Sequence, residues 1–146
     1  MRRPSREERK SIKVARKILN HYHLLWPVPG GSKVTSHFGR RWGKDHQGID
    51  IAAREGSHIL AADDGVAAFS GKMGGYGRVM VISHLNGLFT VYAHNKVNYI
   101  KKGERVSRGQ VIGQVGRSGK ATGPHLHFEI RKNGHAINPS YALFKE

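Results

Sequence analysis

The chain of 146 residues has no cysteine. That excludes a thiolate nucleophile and a Cys-ligated structural zinc, so any site for a borderline metal must be built from imidazole and carboxylate. Long apolar runs are also missing: nothing approaches the roughly 20 residues that a bilayer-spanning helix needs. The basic N-terminus continues through Arg16 and Lys17 with no continuous apolar stretch after it, so no signal peptide is encoded in these residues. Acidic residues are few, 10 Asp and Glu against 25 Lys and Arg, which leaves a formal net charge of +15. The cations are spread along the chain, with neither an RNP-type aromatic segment nor Cys/His finger spacing, so no specific nucleic-acid reader is expected. Two local patterns fall short of enzymatic signatures. GKMGGYG, residues 71–77, lacks the Lys-Ser/Thr ending of a phosphate loop and is followed by β alternation instead of a helix. Ser118 in GRSGK is not the centre of a G-x-S-x-G elbow, which leaves a serine hydrolase unsupported.

Histidine is what the sequence has in quantity, 10 residues, several of them paired by spacing. HQGID holds His46 and Asp50, VYAHN holds His94, and GPHLHFE holds His125 and His127. Side chains at i, i+2 and i+4 of an extended strand share a face, so His125 and His127 project together, as do His46 and Asp50. Gly48 and the alternating GIDIA argue for strand or loop over helix there. Asp50 with two of these histidines would supply the three-ligand sphere of a catalytic zinc with an open position for water, and the other two histidines would handle protons. The pattern therefore predicts a metallohydrolase; the plainer reading of H-x-H is the polar face of an ordinary strand. His21, His23, His37, His58 and His135 have no partner at ligand spacing and are left out of the site.

The chain divides near residue 25. Ser5 followed by Glu8 reads as a capping box, and Ile12, Ala15, Ile18, Leu19 and Tyr22 recur at helical spacing, so residues 1–25 are expected to form a basic extension with one amphipathic helix. Pro27, Pro29, Gly30 and Gly31 then break any helix, and residues 26–146 read as one domain. Alternation in VMVIS, LFTVYAH and HLHFEIR, with Asn86-Gly87 and Asn133-Gly134 at turns, predicts a mostly β fold built on a compact antiparallel sheet. On the last of these strands Leu126, Phe128 and Ile130 should enter the core. Glu129 shares the face of His127, where it either orients a histidine or makes a surface salt bridge. His84, just before a turn, is expected to be structural. GKMGGYG is read as a turn on the rim of a substrate groove, with Tyr76 as a substrate-binding candidate, and the loop ending in Gly123-Pro124 as the opposite wall that aims His125. Arg40 and Arg41, just before His46, are candidates to bind a substrate carboxylate, with a solvated turn as the alternative.

HQGID with its H-x-x-x-D, then YAH, then HLHFE with its H-x-H, resembles the M23 family of zinc metallopeptidases, the lysostaphin-type or LytM-type peptidoglycan endopeptidases. The resemblance extends from about Trp26 to Pro139 through WPVPGG, VTSHFGRR, AADDGVAAFSGKMGGYGRVMVISH and VSRGQVIGQVGRSGKATGPHLHFEIRKNG. It implies a lysostaphin-type, barrel-sandwich-like domain in which His46, Asp50 and His127 bind one Zn²⁺ per chain and His94 and His125 are the catalytic histidines. None of the five is missing, whereas degenerate relatives that lack ligands act as binding or activating modules.

The resemblance further implies bacterial peptidoglycan as substrate and a place in the cell envelope, periplasmic or extracellular, reached from a longer precursor or by another route. A basic protein would concentrate on anionic walls by salt-sensitive attraction. A monomer is expected, with activity near neutral to mildly alkaline pH because imidazole titrates there. A non-catalytic wall-binding or hydrolase-activating module of the same fold is the alternative. A lipoyl-like carrier, suggested by KKGERVSRGQVIGQVG, lacks the lysine-bearing central hairpin such a carrier needs.

Overall fold

The computed structural model describes residues 5–7, 9–10, 23–41 and 44–144. The helix expected over Ser5 to about Tyr22 lies for the most part outside the described residues; within them, the Arg9 N–H donates to the Ser5 carbonyl at 2.9 Å, a single turn. The rest is mostly β structure, as the alternation predicts, with 3-10 turns at Gly74–Tyr76 and Pro139–Tyr141. β1 (Leu24–Leu25) and β2 (Lys33–Ser36) come first, and a small hairpin of β3 (Gly39–Arg41) and β4 (Lys44–His46) leads into β5 (Ile49–Ala52). β6 (His58–Leu60) precedes three long strands, β7 (Gly65–Met73), β8 (Gly77–Ser83) and β9 (Leu88–Ala93). After β10 (Asn95–Asn98), β11 (Arg105–Val106) and β12 (Val111–Val115) comes β13 (His125–Lys132), succeeded by β14 (His135–Ile137) and β15 (Leu143–Phe144).

The main sheet has the order β11-β7-β8-β9-β13-β5-β2, with β14 added to β13. Neighbours in it run antiparallel. A second sheet, β10-β12-β6, shares one core with it, in which Ile59, Ile112 and Val115 join Met80, Tyr92, Leu126 and Phe128. Leu126, Phe128 and Ile130 are fully buried, as the period of two requires, and the ring of Tyr92 meets that of Phe128 edge-on at 5.3 Å. The Tyr92 hydroxyl, sealed in this core, accepts from the Ala62 N–H and bonds Thr90, which bonds His84 Nε2 at 2.8 Å. Burial holds His84 below the usual imidazole range, against the pull of its bond to the Asp64 carbonyl. Its role is structural, as expected. Leu24 and Leu25, placed with the extension on sequence, form β1 in parallel with β15, and Leu24 is in the core.

Two features of β13 position the histidine cluster. Its edge is divided: residues 125–128 pair with β5, whereas residues 130–132 pair with β14 through a hairpin whose Asn133 and Gly134 both have positive φ, 51° and 84°, as a type I′ turn demands. At the division Gly48 passes so close that a Cβ there would lie 2.2 Å from the Phe128 carbonyl oxygen. Only glycine permits that approach, and it sets the entry of β5 and with it Asp50.

Candidate metal centre and catalytic cleft

Sheet register brings the site together. His127 is paired directly with Asp50 on β5 and with Ala93 on β9, so the residue after Ala93, His94, arrives beside it. Directly opposed residues in an antiparallel pair hold their side chains within about 5 Å of one another. Here His127 Nδ1 lies 2.8 Å from Asp50 Oδ1. His46, at the end of β4, donates from Nδ1 to the His37 carbonyl at 2.9 Å, which turns Nε2 toward Asp50 Oδ2 at 3.5 Å. His125, two residues before His127 on the same face, places Nε2 3.7 Å from Asp50 Oδ1, while its Nδ1 is bonded to the Gly123 carbonyl. The loop ending in Gly123-Pro124 thus aims His125 as expected.

His94 sits in the left-handed region, φ 66°, which few non-glycine residues occupy without support. Its N–H donates to the Tyr76 carbonyl at 2.9 Å, and its Nδ1 is bonded to the Ser118 carbonyl at 2.7 Å. The Ser118 hydroxyl donates to the Asn95 carbonyl and accepts from the Arg78 N–H, so this serine is a clamp on the His94 turn. Burial pushes His94 down from the usual imidazole value, opposed by the Ser118 carbonyl, and favours its neutral form. The rings of His94 and His125 lie 4.9 Å apart, edge to face.

Glu129 is where sequence left two readings open. The structure shows both at once: the carboxylate, 1% exposed, orients His127 and pairs with the partly exposed Arg131. Oε2 lies 2.7 Å from His127 Nε2 and accepts from the Tyr76 hydroxyl at 2.7 Å, and Oε1 accepts from Arg131 Nε at 2.8 Å. Arg131 is steadied in turn by Gln47 Oε1. Burial alone would raise the Glu129 carboxyl; His127, Tyr76 and Arg131 overcome it and hold the group ionised below its ordinary range. His127, buried between two carboxylates, is likewise lifted against desolvation to about 9. Asp50 is held down by the imidazoles around it, again against burial.

These residues fit a divalent cation. His46, Asp50 and His127 each offer a ligand atom, all within 4.8 Å of one another. Bonds of about 2.0–2.1 Å to a tetrahedral zinc place ligand atoms roughly 3.3 Å apart, and the 3.5 Å between His46 Nε2 and Asp50 Oδ2 is close to that edge. Two nitrogens and one carboxylate oxygen are the donor set zinc favours when one position is kept for water.

The cleft above this group, about 460 Å³, is lined by His46, Asp50, Gly75, Tyr76, His94, Lys120, Thr122, His125 and His127. GKMGGYG is the β7–β8 hairpin tip, and Tyr76 lines the cleft with its hydroxyl committed to Glu129. Arg40 and Arg41 lie on β3, paired with Asp45 and Lys44. Two contributors were missed on sequence. The Ser118 and His37 carbonyls act through the main chain, which leaves no residue-type signal.

Residues 44–139 match the model for peptidase family M23. Over 115 residues the chain is 44% identical to the DD-carboxypeptidase/endopeptidase Mpg of Neisseria meningitidis, a match that takes in 74% of this chain and 26% of that protein. It is 37% identical over 115 residues to the murein hydrolase activator NlpD of Escherichia coli, covering 78% of this chain and 29% of that one. The chain therefore spans between a quarter and a third of these relatives. Among solved structures, Helicobacter pylori Csd3 superposes with a TM-score of 0.74 at 43% identity, over 86% of this chain and 34% of Csd3.

Proposed function

The chain belongs to peptidase family M23, and we propose that its domain is a zinc-dependent endopeptidase that hydrolyses cross-links or stem peptides of bacterial peptidoglycan. The observation that carries this reading is the convergence of all five side chains, His46, Asp50, His94, His125 and His127, on one open cleft. A peptide bond is a poor electrophile, so its hydrolysis needs an activated water, a countercharge for the oxyanion and a proton for the departing amine. A zinc ion held by His46, Asp50 and His127 would lower the pKa of bound water to about 7 and polarise the scissile carbonyl.

The chain's own residues supply the rest. His94 and His125 each commit Nδ1 to a backbone carbonyl, which leaves Nε2 of both as the atoms that exchange protons in the cleft. One takes the proton of the attacking water; the other donates to the oxyanion and the amine. Glu129, bonded to His127 Nε2, fixes the orientation of that imidazole and leaves Nδ1, on the Asp50 side, as the atom that would hold the ion. The likeness to the activator NlpD favours a second reading, an activating module, against which stands the full set of ligand and proton-transfer side chains.

Three measurements test the proposal. Metal analysis should find one zinc per chain, and mass spectrometry should find new amine termini released from purified peptidoglycan. Both should disappear in His127→Ala, and chelation should abolish release until zinc is restored. Wall binding with no amine released from any peptidoglycan type would establish the module instead.

A further inference from the structure

One charged group in the cleft takes no part in metal binding or proton transfer. Lys120 is the only Lys or Arg among the cleft-lining residues, and Asp50, the only carboxylate there, is already surrounded by imidazoles. The loop that carries Lys120 is locked to the β7–β8 hairpin tip. The Lys120 N–H donates to the Gly75 carbonyl at 3.0 Å. Beside it Gly119 and Gly77 meet so closely that a Cβ on Gly119 would lie 2.5 Å from the Gly77 nitrogen. Gly75 has no side chain, and the Lys120 stem lies across it, its Cδ 3.3 Å from where a Cβ would stand. The ammonium is therefore presented from a fixed platform, with its aliphatic stem already packed. Lys72 and Arg78 are directly opposed on the same hairpin, two residues from its turn. All three cations are exposed, and none has an ion-pair partner among the described residues. Opposed like charges destabilise a strand pair, so the hairpin on which the Lys120 loop rests carries its positive charge at some cost to the fold.

We infer that the Lys120 end of the cleft, which Thr122 also lines, is a subsite for a carboxylate of the peptide substrate. The inference rests on reading the cleft as peptide-binding and adds a substrate class: peptides that carry a free carboxylate on the hairpin side. That carboxylate is either a C-terminal group or an acidic side chain, and the probes separate the two.

The test is binding, which does not require turnover. The zinc-loaded full chain is titrated by NMR with D-alanyl-D-alanine, with its C-terminal amide, and with a C-terminally amidated peptide that carries its carboxylate on a D-glutamate side chain. For an exposed charge pair, wild type should prefer one of the two acids over the amide by about twofold to fivefold, with shifts at Gly75 and Thr122 and a preference that shrinks as salt rises. Lys120→Met, at an exposed position, should erase the preference without altering affinity for the amide, and Lys120→Glu should invert it. Equal affinity for acids and amide, no binding of any probe, or a preference that persists in Lys120→Met, as it would if the carboxylate sat on the metal, overturns the inference. Acid-selective binding that depends on Lys120 in a protein that releases no amine from walls would leave the subsite standing and remove the endopeptidase reading.

Discussion

Replacing Glu129 by glutamine tests whether the hydrogen bond behind His127 matters to the metal centre. The carboxylate receives three donors, His127 Nε2–H, the Tyr76 hydroxyl and Arg131 Nε–H, at 2.7–2.8 Å and almost without solvent. A glutamine has the same shape but only one acceptor oxygen, so its NH₂ must face at least one donor. Leaving a buried donor unpaired costs about 1–3 kcal/mol, and more where the lost acceptor was charged, so folding stability should fall by about 2–4 kcal/mol. The sharper expectation concerns zinc. A carboxylate on the far nitrogen fixes the tautomer of a ligating histidine and raises its basicity, and removing such a partner costs 10- to 100-fold in metal affinity, about 1.4–2.7 kcal/mol. Competition with a chromophoric chelator at fixed pH measures that affinity, and circular dichroism confirms that the variant is folded. Tyr76→Phe is the control, since it removes one donor while the His127–Glu129 bond stays. Its zinc affinity should change less than about threefold. A folded Glu129→Gln protein that binds zinc as tightly as wild type would refute the reasoning.

Asp50→Asn should lower zinc affinity further than Glu129→Gln, because it removes a ligand charge, and a chelator competition series ranks the two. His94→Gln and His125→Gln should each retain zinc but lose about 10²- to 10⁴-fold in kcat, read from the rate of amine release. Phe128→Ala should cost about 3–5 kcal/mol in denaturant unfolding, since it empties the centre of the shared core. His84, whose folded pKa is depressed by burial, binds a proton more readily once unfolded. Stability from this site should therefore be complete above the ordinary imidazole value of about 6.5 and be lost as pH falls from there through the lower folded value. A Tm series against pH should show that slope in wild type and a shallower one in His84→Gln.

How much of the fold and site was legible in the sequence depended on how local each cause is. The run HLHFEIR declared both of its faces, because a period of two is written residue by residue, and Leu126, Phe128 and Ile130 are buried accordingly. Asn133-Gly134 announced its turn because only certain residues accept positive φ at both places. The fate of Glu129 could not be read, since its burial depends on Tyr76, 53 positions away, and on Arg131 folding back over it. The pairing of Leu24 and Leu25 with residues 143–144 is more distant still. Ser118 is weighed on sequence only against a nucleophile elbow, whereas its carbonyl holds His94, a task any residue type could perform at the main chain.

The strand β13 carries hydrophobic anchors on one side and reactive imidazoles on the other, in strict alternation. Inserting or deleting a single residue there would turn every imidazole inward and every anchor outward, so catalysis and folding would fail in the same event. The flanking walls, the hairpin around Gly75 and the loop around Lys120, interlock through Gly75, Gly77 and Gly119, so a change of length in one must be matched in the other.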